Sequence, residues 1–363
     1  MSSDGDTPGI RRAWGWTAHL RDGGTTPWRD WTAEGVARGR HLPGAQQLEL
    51  LRRLNESGRV PERLATRVLE ASAPGRGRAD LELLGSVERL AFGPPPVDPA
   101  DLDADELLRV AAGLLAEDVH AAGVPEPAVG RPRPWRTRYR LLGDPVLADP
   151  RRADLVARGR PPGGRTELVL VLGTDLGQML VDAWTARSLG SGALPWTDWV
   201  RRRATLDLLP DRVDLPRLAR SSAERVGVRR VRIVLDLETL PRLVGVRRPL
   251  ASAPALSADA VELARRTGQV LALLAVPDEQ RALLRGVLLP RLVAHPGPAL
   301  TLPARHVGWA RGRARSMRDE LVRAGYPVHG DPDALLPVDR PGVPEPSDAG
   351  VLALALRLLL EEK

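Results

Sequence analysis

With 363 residues, 43% of them hydrophobic, the chain can bury a core in one large domain or two modest ones, and 53 basic against 46 acidic residues leave it a net charge of +7. The absence of cysteine excludes a disulfide framework, a thiolate nucleophile and Cys-ligated zinc or iron–sulfur sites. Lys363 is the only lysine, which excludes a Walker-type phosphate loop, a pyridoxal Schiff base and a Schiff-base aldolase.

Nearly every basic residue is therefore an arginine. A GC-rich coding sequence accounts for that excess together with the abundant Ala, Gly and Pro, and the arginines are then expected to be spread over the surface and paired with acids. The opening, MSSDGDTPGIRRAWGW, has no apolar stretch of a secretory signal, and no apolar run reaches the ~20 residues of a membrane helix. The expected location is cytoplasmic, with no membrane partner. Aromatic residues are only 3% and nine of them are Trp, so the core is expected to be Leu, Val and Ala with Trp as the large filler.

In chain order, residues 1–93 read as a helical N-terminal region. LPGAQQLELLRRLNESG places Leu48, Leu50, Leu51 and Leu54 on an apolar face, with Gly58 as the stop, and VPERLATRVLEA follows with Leu64, Val68 and Leu69. Residues 94–135 read as a Pro-rich linker carrying one helix, DELLRVAAGLLAEDVHAAG, capped by Asp101 or Asp103. Residues 136–338 read as an α/β domain. Its strands are ELVLVLG, from Glu167 to Gly173, and the run from Arg229 to Asp236. Its helices follow Asp175, start at Trp196, lie near 257–273 and 278–293, and run through WARGRARSMRDELVRAG to a stop at Gly325; YPVHGD is a short strand or turn. Strand–helix–strand at this spacing predicts a parallel sheet flanked by helices. Residues 339–363 are a linker and a helix, VLALALRLLLEEK, capped by Ser347 or Asp348. That helix is apolar nearly all round, so it must bury itself on its own chain, the favoured reading, or on a second copy in a homo-oligomer.

Two segments echo one another. GGTTPWRDW (Gly23 to Trp31) and GALPWTDW (Gly192 to Trp199) share a turn followed by Pro and a Trp pair at i, i+3. The pairs Trp28/Trp31 and Trp196/Trp199 are read as core packing at a helix start, with a carbohydrate-stacking platform as the alternative.

LVLVLGTDLGQMLVDAWTARSLGSGALPWTDWV, the strand ending at Asp236, and the closing GYPVHGDPDALLP (Gly325, Tyr326, Val328, Gly330, Asp331, Leu335 or Leu336, Pro337) together resemble the actinobacterial sulfotransferase-like family over roughly Glu167 to Pro337. The resemblance implies a P-loop-type sulfotransferase fold and, in the family's enzymes, sulfuryl transfer from 3′-phosphoadenosine 5′-phosphosulfate. The family binds the phosphosulfate in a Lys-Thr-Gly-Thr-Thr-like loop and the 3′-phosphate with an arginine ahead of an Asp-Leu pair. Here Thr174 stands at the arginine's place before Asp175 and Leu176. The nearest loop, Asp22-Gly23-Gly24-Thr25-Thr26, has an aspartate near the lysine's place. The fold is thus expected to be degenerate, with no cofactor, and with Thr174 and Asp175 as cofactor-binding candidates by position alone.

Other constellations are weaker. Asp175 and Asp236 close the two strands, where a parallel sheet has its ligand crevice, and both are read as caps. Asp236 and Glu238 with His329 and Asp333 imitate the acids of two-metal exonucleases, although the spacing is one residue short. His19, His41, His120, His295, His306 and His329 show no metal-ligand spacing, so no metal is expected. Arg131, Arg133, Arg136, Arg138 and Arg140, interleaved with Trp135 and Tyr139, could track a phosphate backbone or line a solvated linker. No catalytic residue is assigned. The expected role is binding, assembly or regulation; the alternatives are an active sulfotransferase with a lysine-free anion site, then a nucleic-acid-binding protein or nuclease.

Overall fold

The computed structural model describes all residues except 1–6, 37–38, 40, 72–79, 87–93, 127–138, 163–167, 191 and 362–363. Arg131, Arg133, Trp135, Arg136 and Arg138 of the basic segment lie outside the described residues. The helices begin with α1 Pro8–Arg21, α2 Ala45–Ser57, α3 Glu62–Glu70, α4 Ala104–Ala121, α5 Pro145–Ala157, α6 Leu176–Ser188 and α7 Trp196–Leu206. They continue with α8 Leu215–Val226, α9 Leu240–Leu243, α10 Ala258–Leu271, α11 Pro277–Leu283, α12 Leu289–Val293, α13 Ala304–Arg323 and α14 Asp348–Leu360. Strands β1 Tyr139–Leu142, β2 Leu168–Leu172, β3 Val231–Val234 and β4 Val328–His329 form one sheet in that order, each neighbour parallel. The protein is α/β, and no described helix is long and apolar enough to cross a membrane.

The chain divides into two units that are interleaved in sequence. The first takes residues 1–124, 262–291 and 347–363, and the second takes 125–261 and 292–346. The consecutive stretches read from the sequence do not show this interleaving, because periodicity reports local structure and not which distant helices share a core.

In the second unit the apolar run of β2 is buried on both faces. Val169 and Val171 join Val231 and Ile233 in a core with α6, α7, α8 and α13, while Leu170 and Leu172 pack with Tyr139, Leu141 and Val234 against α5 and α9. The second expected strand is shorter than its apolar pattern, since Val228–Arg230 form a 3-10 turn before β3. Gly325 ends α13 with φ +70 as the C′ residue, the left-handed position expected of it.

Among its described residues the first unit has helices, turns and one isolated bridge, Leu83 with Val97. Leu48, Leu50, Leu51 and Leu54 of α2 are fully buried, as the spacing required, and Gly58 ends that helix. Asp103 takes the N-cap place of α4 without a side-chain bond, whereas Asp98 caps the turn before it. The apolar α14, capped by the Ser347 hydroxyl, packs within its own chain against α4 and α2 and buries Val351, Leu352, Leu354, Leu356, Leu358 and Leu359.

The Trp echo extends further than its turn. At a constant offset, Thr7 and Asp175 cap α1 and α6, Gly9 matches Gly177, and the segments 16–31 and 184–199 keep Trp, Thr, Ala, Gly, Pro, Trp, Asp and Trp in register. Trp16 and Trp28 meet at 5.3 Å and 53°, and Trp184 and Trp196 at 5.4 Å and 55°. The Trp16 indole N–H donates to the Thr26 carbonyl at 2.8 Å and that of Trp184 to the Leu194 carbonyl at 2.9 Å. Trp28, Trp196 and Trp199 are buried, and half-buried Trp31 stacks on His19 at 4.5 Å. Their ring faces are spent on core packing, which removes the carbohydrate platform.

Candidate functional site

A parallel sheet gathers its functional groups where strands end and helices begin. Each strand of the second unit exits there into an aspartate: Leu142-Gly143-Asp144, Leu172-Gly173-Thr174-Asp175, Val234-Leu235-Asp236 and His329-Gly330-Asp331. The sequence reading took Asp175 and Asp236 as strand-end acids; it met Asp331 only within the GYPVHGDPDALLP resemblance and did not single out Asp144. The missed signal is the recurrence of RLLGD, VLGTD, IVLD and PVHGD, each an apolar run closed by an acid.

All four acids cap the backbone that follows them. Asp144 Oδ1 accepts from Val146 N at 2.8 Å, Asp175 Oδ1 from Gln178 N at 3.0 Å, Asp236 Oδ1 from Glu238 N at 3.0 Å, and Asp331 Oδ1 from Asp333 N at 2.9 Å. Asp144 and Asp175 thereby start α5 and α6. Asp236 heads only a turn, because α9 begins after Thr239 rather than after the strand. Orphan N–H groups at helix and turn starts explain why a carboxylate stands at each place.

Asp175 has a second partner. Arg340 Nη2 lies 2.5 Å from its other oxygen, with the carboxylate only 3% exposed. The segment carrying Arg340 is pinned to the chain at residues 299–301 by hydrogen bonds from Val343 N to the Ala299 carbonyl and from Thr301 N to the Val343 carbonyl, both 2.9 Å. One turn along α6, Gln178 Nε2 donates to Asp182 Oδ1 at 2.8 Å. Burial pushes the Asp182 carboxyl up from 3.8 to about 6, opposed by the Gln178 hydrogen bond and by Arg340 and Arg151, and assisted by the charge of Asp175. Asp182 is only 6% exposed, so its proton is out of reach of a substrate. Thr174, half-buried, adds one neutral hydroxyl.

This edge therefore offers carboxylates already engaged by backbone amides or a guanidinium, with Arg340 paired to Asp175 and the charge of Arg151 acting on Asp182. The loop candidate Asp22–Thr26 is not part of it: Asp22 is the C-cap of α1, so the segment leaves a helix and not a strand. The exonuclease set also fails to assemble. Asp333 pairs with Arg318 at 2.6 Å and Glu238 points to solvent. The backbone carbonyl of His329 accepts from Leu235 and Asp236 N. Among the described residues no group of three acids or histidines could hold a metal ion.

A cleft of about 1220 Å³ lies elsewhere, in the first unit, lined by α1, α2 and α3. Arg21 and Arg59 face Asp22, Glu62, Glu70 and Asp80 there, a mixture of charge without a convergent chemical set. No family model, no curated protein and no solved structure matches this chain.

Proposed function

We propose that the second unit is a degenerate sulfotransferase-like domain that does not bind 3′-phosphoadenosine 5′-phosphosulfate, and that the chain serves in binding, assembly or regulation in the cytoplasm. The observation that supports this reading is the Asp175 pair. Where the resemblance sets the cofactor's phosphate, a buried carboxylate caps α6 and holds Arg340, and three more carboxylates stand at the other strand ends. A polyanion brought there meets like charge and finds the one guanidinium occupied. The expected result is that 3′-phosphoadenosine 5′-phosphate gives no rise in melting temperature, whereas a ligand at 100 times its Kd adds about 2.7 kcal/mol.

One observation favours a second reading, an active enzyme with a lysine-free anion site. Arg340 brings a guanidinium to the strand end that carries Thr174 in place of the family's arginine. On that reading the nucleotide raises the melting temperature and the Arg340→Ala variant loses the rise. A rise in both proteins overturns both readings of this edge.

A further inference from the structure

Ion pairing accounts for many of the chain's arginines. Arg11, Arg29, Arg52, Arg53, Arg67, Arg158, Arg266 and Arg318, among others, each lie within salt-bridge distance of at least one carboxylate. This is the spread and paired distribution that a coding bias produces. One surface of the second unit departs from it.

Helices α6, α7 and α13 touch one another. α7 carries the run Arg201-Arg202-Arg203, which fans across about 200° of helix surface because successive residues are about 100° apart. The charges of Arg305 and Arg201 act on His306 at the start of α13, and that of Arg187, in the last turn of α6, acts on Arg203. Arg305 with His306, Arg201, Arg202, Arg203 and Arg187 therefore belong to three helices that touch one another. Arg187, Arg201, Arg202 and Arg305 are exposed. Arg203 is half-buried, its guanidinium 5.4 Å from the centroid of the Trp199 ring. Among the described residues the row's salt bridge joins Arg201 to Asp198 at 2.7 Å, with both side chains largely in water, where such a pair is weak. Burial first, and then the like charges of Arg187 and Arg202, lower the proton affinity of Arg203; burial and then Arg305 and Arg201 do the same to His306. Like charges are thus held side by side, offset only in part by Asp211 at Arg203 and Asp198 at Arg201, an arrangement that an external anion relieves.

We propose that this arginine belt is a docking surface for the phosphate backbone of nucleic acid. A row of planar guanidiniums suits a polymer of regularly spaced phosphates, which each can bind through paired N–H donors. Leu206 and Leu208, at the end of α7 and just past it, are 53% and 54% exposed and stand against four exposed arginines, so charge rather than apolar area dominates this surface and favours a phosphate polymer over a lipid surface. Contacts to phosphate carry no sequence information, so binding through this row is expected to be independent of sequence.

The test is fluorescence anisotropy of a short labelled DNA duplex titrated with the full chain between about 50 and 300 mM salt. Neutralising about four phosphates gives a slope of log K against log salt of roughly −3 to −4. The triple variant Arg201→Ala, Arg202→Ala, Arg203→Ala should bind at least ~10-fold more weakly and lose about 3 from that slope. A control removing as many charges from α8, Arg217→Ala, Arg220→Ala, Arg225→Ala, should change the slope by less than about 1. Should the triple variant fail to fold, Arg202→Glu at its exposed position is expected to weaken binding with the melting temperature unchanged. Equal losses in both triple variants would reduce the effect to net charge and overturn the proposal. No duplex binding, or belt-dependent binding to vesicles containing phosphatidylserine without duplex binding, would overturn it too.

Discussion

Burial sets the chemistry of Asp182 more than any neighbour does. A carboxyl whose folded pKa is raised from 3.8 to about 6 binds more protons in the folded than in the unfolded chain between those values. Stability therefore falls as pH rises through that window, and the full cost is present above about pH 6. Two pH units correspond to a few kcal/mol, as an order of magnitude. Asp182→Asn keeps an acceptor for Gln178 and removes the charge. It should raise the unfolding free energy at pH 7 to 8 by about 2–3 kcal/mol and leave it nearly unchanged at pH 4, as read by urea denaturation at the two pH values. No gain at pH 7 would show that Asp182 is already compensated. The position was not legible in the sequence: Asp182 lies within a helix between Val181 and Ala183, and nothing local distinguishes a buried acid from an exposed one. Asp175 was legible, because an acid between an apolar strand and a helical pattern has one common use.

Among the elements, the close approach of β4 to β3 depends on Gly330. Its φ is +104, and a Cβ there would stand 2.7 Å from the backbone N of Asp236. Gly330→Ala combines a disfavoured conformation with a backbone clash and should cost about 2 kcal/mol or more. Gly308, inside α13 with nothing within 4 Å of a Cβ, is the opposite case, and Gly308→Ala should stabilise by about 0.5–1 kcal/mol. Thermal denaturation of the two variants should move in opposite directions. Helix periodicity carried most of this scale: α2, α6, α7, α13 and α14 stand where leucine spacing, caps and glycine stops put them. β1 and α5 were missed, since YRLL is too short an apolar run to separate from a linker, and α1 was not resolved as an element because its face is built from Trp14, Trp16 and Leu20 rather than a leucine stripe.

At the scale of the whole molecule, local periodicity does not reveal which helices share a core. Glu262 and Arg265, with side chains 5% and 7% exposed, pair within α10, and Arg266 extends that cluster to Asp105 of α4 and Asp348 of α14. Three segments distant in sequence are joined through one guanidinium, and the leucines of α14 lie on α4 and α2. A fragment of residues 1–124 therefore lacks the cover of its own α4. It should show weak far-ultraviolet helicity and no cooperative melt, whereas the full chain melts cooperatively. A fragment with native-like helicity and a cooperative transition would show that α14 is an accessory.

The interleaving also fixes an order of events on the ribosome. The first unit begins to emerge earliest, yet its last helix is made only after the whole second unit has been translated. Until then the α4 face that receives α14 is bare, and the early helices must wait as a partly open assembly while a later-made sheet closes. Of the two units, the one begun earlier is thus completed later, and its exposed leucines give a chaperone something to hold in the interval.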